Sequence, residues 1–165
     1  MKQINIVIAG AGSIGCYVGG RLAAGGANIQ FLARQRIAND LNTNGLHLTD
    51  WTGTDIRLQP DALTISTSET ILKNADMICV RVKSKDTPAM AQSIVQSGNK
   101  HATIFSLQNG MSNSQVLQHA LPKHTVLPIM VPYNVIYQDK GHFHCATQGD
   151  LYCQDHPSAK PLKAL

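Results

Sequence analysis

The sequence predicts an α/β fold built on a doubly wound, mostly parallel sheet with a β-hairpin insertion. Three observations carry that expectation. A β-branched apolar run, Ile4-Asn5-Ile6-Val7-Ile8-Ala9, reads as a strand buried on both faces. Gly10-Ala11-Gly12-Ser13-Ile14-Gly15 follows it without a gap, and Ile14, Val18 and Leu22 then form one stripe at helical spacing between Ser13 and Ala24. Further short apolar runs alternate with helical patterns down the chain.

A second strand is expected at Asn28 to Ala33, then a short helix around Ile37 and Leu41 that Gly45 can end in left-handed geometry. Leu46-His47-Leu48 and Ile56-Arg57-Leu58 alternate on either side of Trp51-Thr52-Gly53, the pattern of an antiparallel hairpin interrupting the αβ order. Met77 to Val82 is the next apolar strand, and Thr87-Pro88 reads as an N-cap with proline at the first helical position. Thr103 to Leu107 adds a strand that ends in Gln108-Asn109-Gly110. A helix from about Asn113 to Ala120 stops before Pro122, and Val126 to Val131 supplies another strand. Asn134 to Tyr137 and His142 to Thr147 read as strands joined across Asp139-Lys140-Gly141, with Leu151-Tyr152-Cys153 as a last short one. The tail from Pro157 to Leu165 reads as a linker or the start of something further.

Composition narrows the class. At 165 residues, 43% hydrophobic and 15% charged, the chain suits one domain with a real core and excludes a disordered or fibrous protein. Its formal charge is +4, but Lys and Arg are scattered without a stripe, so no nucleic-acid partner is expected and a phosphate-bearing small ligand accounts for the balance. No apolar stretch reaches the roughly 18 residues of a membrane span, and the apolar start runs into the glycine pattern instead of a cleavage site. Cys16, Cys79, Cys145 and Cys153 stand singly with no CxxC pair, as a reducing, cytoplasmic setting permits.

The glycine pattern has meaning because a strand precedes it and a helix follows. Gly10 permits the tight turn, Gly12 lets backbone approach a pyrophosphate, and Gly15 lets the helix meet the strand closely. Unpaired N–H groups and the helix dipole then favour a diphosphate at the helix start. The fold expected is therefore Rossmann-like and the ligand a dinucleotide. At the end of the second strand, where an NAD enzyme places an acidic residue for the ribose hydroxyls, this chain has Phe31-Leu32-Ala33-Arg34. A guanidinium holds a 2′-phosphate by charge-assisted, bidentate bonds and a carboxylate repels it, so NADP(H) is the cofactor expected. Arg36 can share that role, while Asp40 lies too far into the next helix to be the ribose acceptor. The plain alternative is a solvated arginine at a helix start.

Ligands of open parallel sheets bind beyond the carboxyl ends of the strands. Lys83 follows the Met77 to Val82 strand and Asn109 follows the Thr103 to Leu107 strand, which puts both at that crevice. An ammonium and an amide there suit cofactor phosphate, ribose or a bound oxo-acid. The alternatives are a solvent-facing lysine and a turn former in an Asn-Gly pair. His142 and His144 share one face of a strand, yet no second ligand pair with zinc-like spacing accompanies them, and no metal is expected. No GxSxG or His-paired nucleophile signature is present.

From Met1 to about Cys153 the chain resembles the N-terminal domain of the ketopantoate reductases, or 2-dehydropantoate 2-reductases. The resemblance rests on Gly10 to Gly15, on Arg34, on Gly45-Leu46-His47-Leu48, on Ala75-Asp76 through Val82-Lys83-Ser84, on Leu107-Gln108-Asn109-Gly110-Met111, and on Gly141 through Gly149-Asp150-Leu151. The order and spacing of the Lys83 and Asn109 motifs are more specific than the glycines. The resemblance implies reduction of 2-dehydropantoate to pantoate, towards pantothenate and coenzyme A, with hydride from NADPH. By that likeness Gly10, Ala11, Gly12, Ser13, Ile14 and Gly15 bind pyrophosphate, Arg34 the 2′-phosphate, and Lys83 and Asn109 the cofactor, with Asn109 also near the substrate. Backbone near Ile136 is expected to contact the cofactor as well.

The chain departs from that family at Ser112, where glycine is frequent, at Pro128 and Pro132, which bracket a segment usually small and threonine-rich, and at Arg81, a strand position commonly uncharged. The family's general acid, a lysine, lies on a second, helical domain, and no lysine here matches it. Residues 1–165 are thus expected to form an NADP(H)-binding domain, with the helical substrate domain absent and no turnover by the chain alone. A homodimer is compatible with this picture. The rival functions are an NADP-dependent reductase of another small 2-oxo acid and a non-catalytic NADP-binding module.

Overall fold

β1 (Asn5–Ala9) lies in the interior of a sheet, with a strand on each side, because Ile6 to Ala9 present apolar side chains to both faces. Ile6 and Ile8 belong to one buried cluster and Val7 and Ala9 to another, so successive side chains feed cores on opposite sides. The computed structural model describes residues 3–163. After β1 come α1 (Ser13–Ala24), β2 (Asn28–Leu32), α2 (Gln35–Asn44), β3 (Leu46–Asp50), β4 (Asp55–Leu58), β5 (Thr64–Ser66) and β6 (Met77–Val80). The chain continues through α3 (Thr87–Ser97), β7 (Thr103–Ser106), α4 (Met111–Ala120), β8 (Val126–Met130), β9 (Val135–Tyr137), β10 (His142–Cys145), β11 (Tyr152–Cys153) and α5 (Lys160–Lys163). No helix among the described residues is long and apolar enough to cross a membrane.

Seven strands make the main sheet in the order β11-β8-β7-β6-β1-β2-β5. All neighbours pair in parallel except β11, which runs antiparallel to β8 at one edge. The doubly wound α/β fold expected from the sequence is therefore present. Strand order reverses between β1 and β6, which opens a crevice beyond their carboxyl ends.

The remaining strands form a second sheet, β4-β3-β10-β9. The expected hairpin is there, with Leu46 opposite Leu58 and Leu48 opposite Ile56. It is not a free-standing insertion, because β10 pairs in parallel with β3 and β9 antiparallel with β10. Helix α1 lies between the two sheets. A Cβ on Gly19 would come within 2.7 Å of Ile8 Cγ1 in the main sheet, and one on Gly20 within 2.7 Å of Leu48 Cδ1 in the second. Two adjacent small residues let one helix approach both layers.

Some boundaries move for local reasons. Thr87 is the first residue of α3 instead of its cap, since a 3-10 turn over Ser84–Asp86 leads into the helix and Asp86 takes the cap position. α4 begins at Met111, earlier than expected, because Gly110 adopts a φ of +84° there and serves as its N-cap. The tail also differs from a plain linker. His156 Nδ1 accepts from Ser158 N at 3.1 Å, capping a turn at Pro157–Ala159 that buries Ala159 and leads into α5. Ala164 and Leu165, also assigned to the linker, lie outside the described residues.

Asp50 ties the β3–β4 turn to α1. Its Oδ1 accepts from Thr52 N at 2.9 Å, Thr52 Oγ1 at 2.7 Å and Thr54 N at 3.0 Å. Its Oδ2 accepts from Tyr17 Oη at 3.4 Å and from an Arg21 guanidinium nitrogen at 3.5 Å. Burial pushes the carboxyl up, but the hydrogen bonds from Thr52 and Thr54 outweigh it and hold the group well below the usual carboxylate range. A depressed folded pKa gives stability that is complete above the ordinary value of about 3.9 and is lost as pH falls below it. Asp50→Ala is expected to cost about 1.5 to 3 kcal/mol at neutral pH, read as a lower urea midpoint. The variant should also lose less stability than the parent on acidification below about pH 4. An unchanged neutral midpoint would remove Asp50 from this role.

Candidate functional site

Backbone shapes the crevice before any side chain does. Gly10 N and Ala11 N both donate to Leu32 O, at 3.2 and 3.1 Å, and Gly12 N donates to Gly10 O at 2.9 Å, which folds the loop back against β2. Gly10 has a φ of +111°, and a Cβ there would stand 2.7 Å from Arg81 O, so the loop crosses the end of β6 at a distance that glycine alone allows. A Cβ on Gly15 would collide with the Gly10 carbonyl. Around the Cβ position of Gly12 there is no atom within 4 Å. Two of the three glycines thus close the turn, and the third leaves room for a ligand.

Of the six residues in the pattern, Gly10 and Ala11 have their amides engaged by β2 and Gly12 has its amide engaged within the loop. Ser13, Ile14 and Gly15 form the first turn of α1, which has neither a side-chain cap nor an acidic residue. Those N–H groups are the open donors, and the helix dipole adds to their pull on an anion. A diphosphate fits this cradle.

The crevice has a volume of about 360 Å³ and is lined by Gly10 to Ser13 together with Arg34, Arg36, Ile37, Arg81, Val82, Lys83, Tyr137 and Phe143. Four of these side chains are cationic and none is a carboxylate. Arg36 lies over the Tyr137 ring, 5.4 Å from its centroid. Tyr137 Oη donates to Asp40 Oδ2 at 2.6 Å and Gly141 N to the same atom at 2.9 Å, which engages Asp40 away from any ribose. The carboxylate pushes the Tyr137 phenol above its ordinary pKa.

The two strand-end arginines differ sharply. Arg34 is 79% exposed and pairs with Asp86 Oδ2 at 3.0 Å through one guanidinium nitrogen, at the edge of an adjoining pocket of about 450 Å³ that also takes in Glu69. Arg81 Nε is buried and has no hydrogen-bond partner, the only such side-chain atom among the described residues. Burial pulls its pKa below the ordinary value.

A family model described as ketopantoate reductase PanE/ApbA matches residues 6–158. The chain belongs to the ketopantoate reductase family. It is 32% identical over 125 residues to the 2-dehydropantoate 2-reductase of Halobacterium salinarum, covering 75% of this chain and 40% of that one. The corresponding enzyme of Archaeoglobus fulgidus is 28% identical over 152 residues, covering 92% and 47%. A crystal structure of a PanE/ApbA family ketopantoate reductase from Ralstonia eutropha superposes with a TM-score of 0.87 at 28% identity, covering 98% of this chain and 52% of that one. The chain therefore spans about half the length of the relatives it matches. The family consists of Rossmann-like oxidoreductases that bind a nicotinamide cofactor.

Within this ketopantoate reductase fold, the Lys83 and Asn109 loops share a polar network that the sequence did not reveal. Gln108 Nε2 donates to Val82 O at 2.9 Å and to Thr87 Oγ1 at 2.7 Å, and Thr87 Oγ1 donates to Asn113 Oδ1 at 3.2 Å. Asn113 Nδ2 then donates to Ser84 Oγ at 3.1 Å and Asn109 O at 2.9 Å. Gln108, Thr87 and Asn113 are buried, whereas Lys83 and Asn109 are exposed. Lys83 lines the crevice. Asn109 does not; it stands between Gln108 and Gly110, which line a second groove of about 460 Å³. Ile136 is also outside the crevice lining, because strand alternation gives that position to its neighbour Tyr137.

The histidines of β10 meet Thr49, whose Oγ1 lies 2.8 Å from both His142 Nε2 and His144 Nδ1, and His47 stacks on His142 at 4.0 Å. No group of three His, Cys, Asp or Glu side chains that could hold a metal is found among the described residues.

The buried network makes one clear prediction. Asn113→Ala leaves Thr87 and Ser84 short of a partner and is expected to cost about 1 to 3 kcal/mol, read as a lower melting temperature. It should also weaken dinucleotide binding, because the loops carrying Lys83 and Asn109 lose their tie. Unchanged stability and affinity together would reduce the network to an incidental contact.

Proposed function

We propose that this chain is the NADP(H)-binding half of a reductase that converts 2-dehydropantoate to pantoate. The observation that supports it best is the pairing of an uncapped helix start, open at Gly12, with a crevice lined by four cations and no carboxylate. Relatives named 2-dehydropantoate 2-reductase support the choice of substrate. In this reading the loop from Gly10 to Gly15 holds the diphosphate, Arg34 the 2′-phosphate, and Lys83 and Asn109 the cofactor near the substrate. Ile136 contributes backbone only. The bound nicotinamide supplies the hydride. The chain's own part is to fix the cofactor's position at the switch point, so that the oxo-acid carbon meets it in one orientation.

The second half of the protein supplies the proton donor, a lysine, and most of the substrate contacts. Met111, Met130 and Tyr152 are each at least 60% exposed and border the second groove, an apolar face of the kind that a neighbouring domain covers. Cys16, Cys79 and Cys145, buried and not joined in disulfides, suit a cytoplasmic setting.

Asp86 favours a modified reading of cofactor choice. A carboxylate bonded to Arg34 suits ribose hydroxyls and opposes a 2′-phosphate, so NADH binding is retained beside NADPH. Fluorescence titration should find NADPH bound more tightly than NADH, with Arg34→Ala removing about tenfold or more of the NADPH affinity. Asp86→Asn should widen the preference for NADPH. Equal affinity for both cofactors, unaltered in Arg34→Ala, would remove the NADP assignment.

The chain alone is expected to bind NADPH without oxidising it when 2-dehydropantoate is added. Sustained loss of NADPH absorbance would instead place a working proton donor within these residues.

A further inference from the structure

Arg81 is the least exposed of the four cations that line the crevice, and its Nε is buried without a hydrogen-bond partner. Its N donates to Ala9 O at 2.9 Å, one rung beyond the end of β6, which locks its backbone to β1 immediately before the glycine loop. Strand alternation puts it on the face of Met77 and Cys79, within the cluster that includes α1 residues Cys16 and Val18. The side chain therefore enters the crevice on the same side of the sheet as the open amides of α1. Its Nε is buried with no partner, and the crevice lining offers no carboxylate. Asp40 and Asp86, which bond to lining residues, already serve Tyr137, Gly141 and Arg34. A buried N–H on a cation with nothing to bond is unfavourable unless a ligand completes it.

We infer that Arg81 is an anion-binding residue of the crevice, its guanidinium pairing with the dinucleotide's diphosphate beside the amides of Ser13, Ile14 and Gly15. This rests on the dinucleotide reading above but not on the choice of NADP, since NADPH and NADH share the diphosphate. A guanidinium suits the role because its planar fork meets two oxyanion oxygens at once. The carboxylate of a 2-oxo acid offers similar chemistry, and the test separates the two.

The test uses the 165-residue chain with Arg81→Gln, Arg81→Lys and Arg34→Ala, and four probes: NADPH, NADH, adenosine 2′-monophosphate and oxalate. Binding is read by calorimetry across a salt series, and stability by melting of the unliganded chain. Arg81→Gln should lose about tenfold or more of its affinity for NADPH and NADH alike, as expected for a lost charged hydrogen bond. Its binding should also depend less steeply on salt, with adenosine 2′-monophosphate unaffected. The unliganded variant should melt no lower than the parent, because a half-buried cation with an unpartnered Nε has gone. Arg81→Lys should recover part of the affinity.

Arg34→Ala should behave in the opposite way, losing NADPH and adenosine 2′-monophosphate while keeping NADH. Failure of the NADP reading is thus distinguishable from failure of this one. Parental affinity of Arg81→Gln for both dinucleotides overturns the inference. A loss confined to oxalate also overturns it, by giving the guanidinium to a carboxylate. A lower melting temperature with equal losses for every probe makes Arg81 a structural residue only.

Discussion

The crossing of Gly10 over the end of β6 is the constraint on which the rest of the molecule depends. A Cβ on Gly10 would stand 2.7 Å from the Arg81 carbonyl oxygen, so only a residue without one can pass there, and a φ of +111° turns the chain from strand towards helix. Leu32 O then receives both the Gly10 and Ala11 amides, so β2 fixes the loop that β1 delivers. With three strands holding one turn, the first amides of α1 have a single direction in which to point. That direction is the crevice.

The crevice has a second wall because α1 is narrow on two sides. Gly19 admits Ile8 and Phe31 of the main sheet, and Gly20 admits Leu46 and Leu48 of the smaller one. The smaller sheet brings Tyr137 and Phe143 to the cofactor side, and the bond from Tyr137 to Asp40 anchors that sheet to α2. Asp40 is thereby occupied in holding two layers together.

What was legible in the sequence follows from range. Helix α1 occupies the expected Ser13–Ala24, and β1, β2, β6 and β7 lie where their apolar runs predicted, because those signals are local. The partnership of β10 with β3 places His142 beside His47, and no local pattern specifies a contact across so much chain. β5 is three residues long, too short for a period to register. Arg34 could be read as a phosphate ligand, but its partner Asp86 lies 52 positions away. Gln108, Thr87 and Asn113 each look like a cap or turn residue alone, and only their meeting gives them a role. Arg81 was visible as a charge where an apolar residue fits, without any sign of the crevice it would line.

The contrast between Arg34 and Arg81 explains how a chain with scattered charges can select one small anion. An exposed guanidinium keeps its hydration, shares Asp86, and acts through water and salt that weaken it beyond about 10 Å. Such a group contributes modestly to affinity, and in the proposed role it would meet the end of the ligand where two cofactors differ. A half-buried guanidinium whose Nε has no partner has given up part of its hydration before any ligand arrives, so an anion meeting it strips less water from the protein. In the proposed role it would be blind to the 2′ position, because NADPH and NADH share the diphosphate. In the arrangement proposed, Arg81 would grip what all dinucleotides share and Arg34 would read what distinguishes them, so that affinity and cofactor choice would rest on separate side chains.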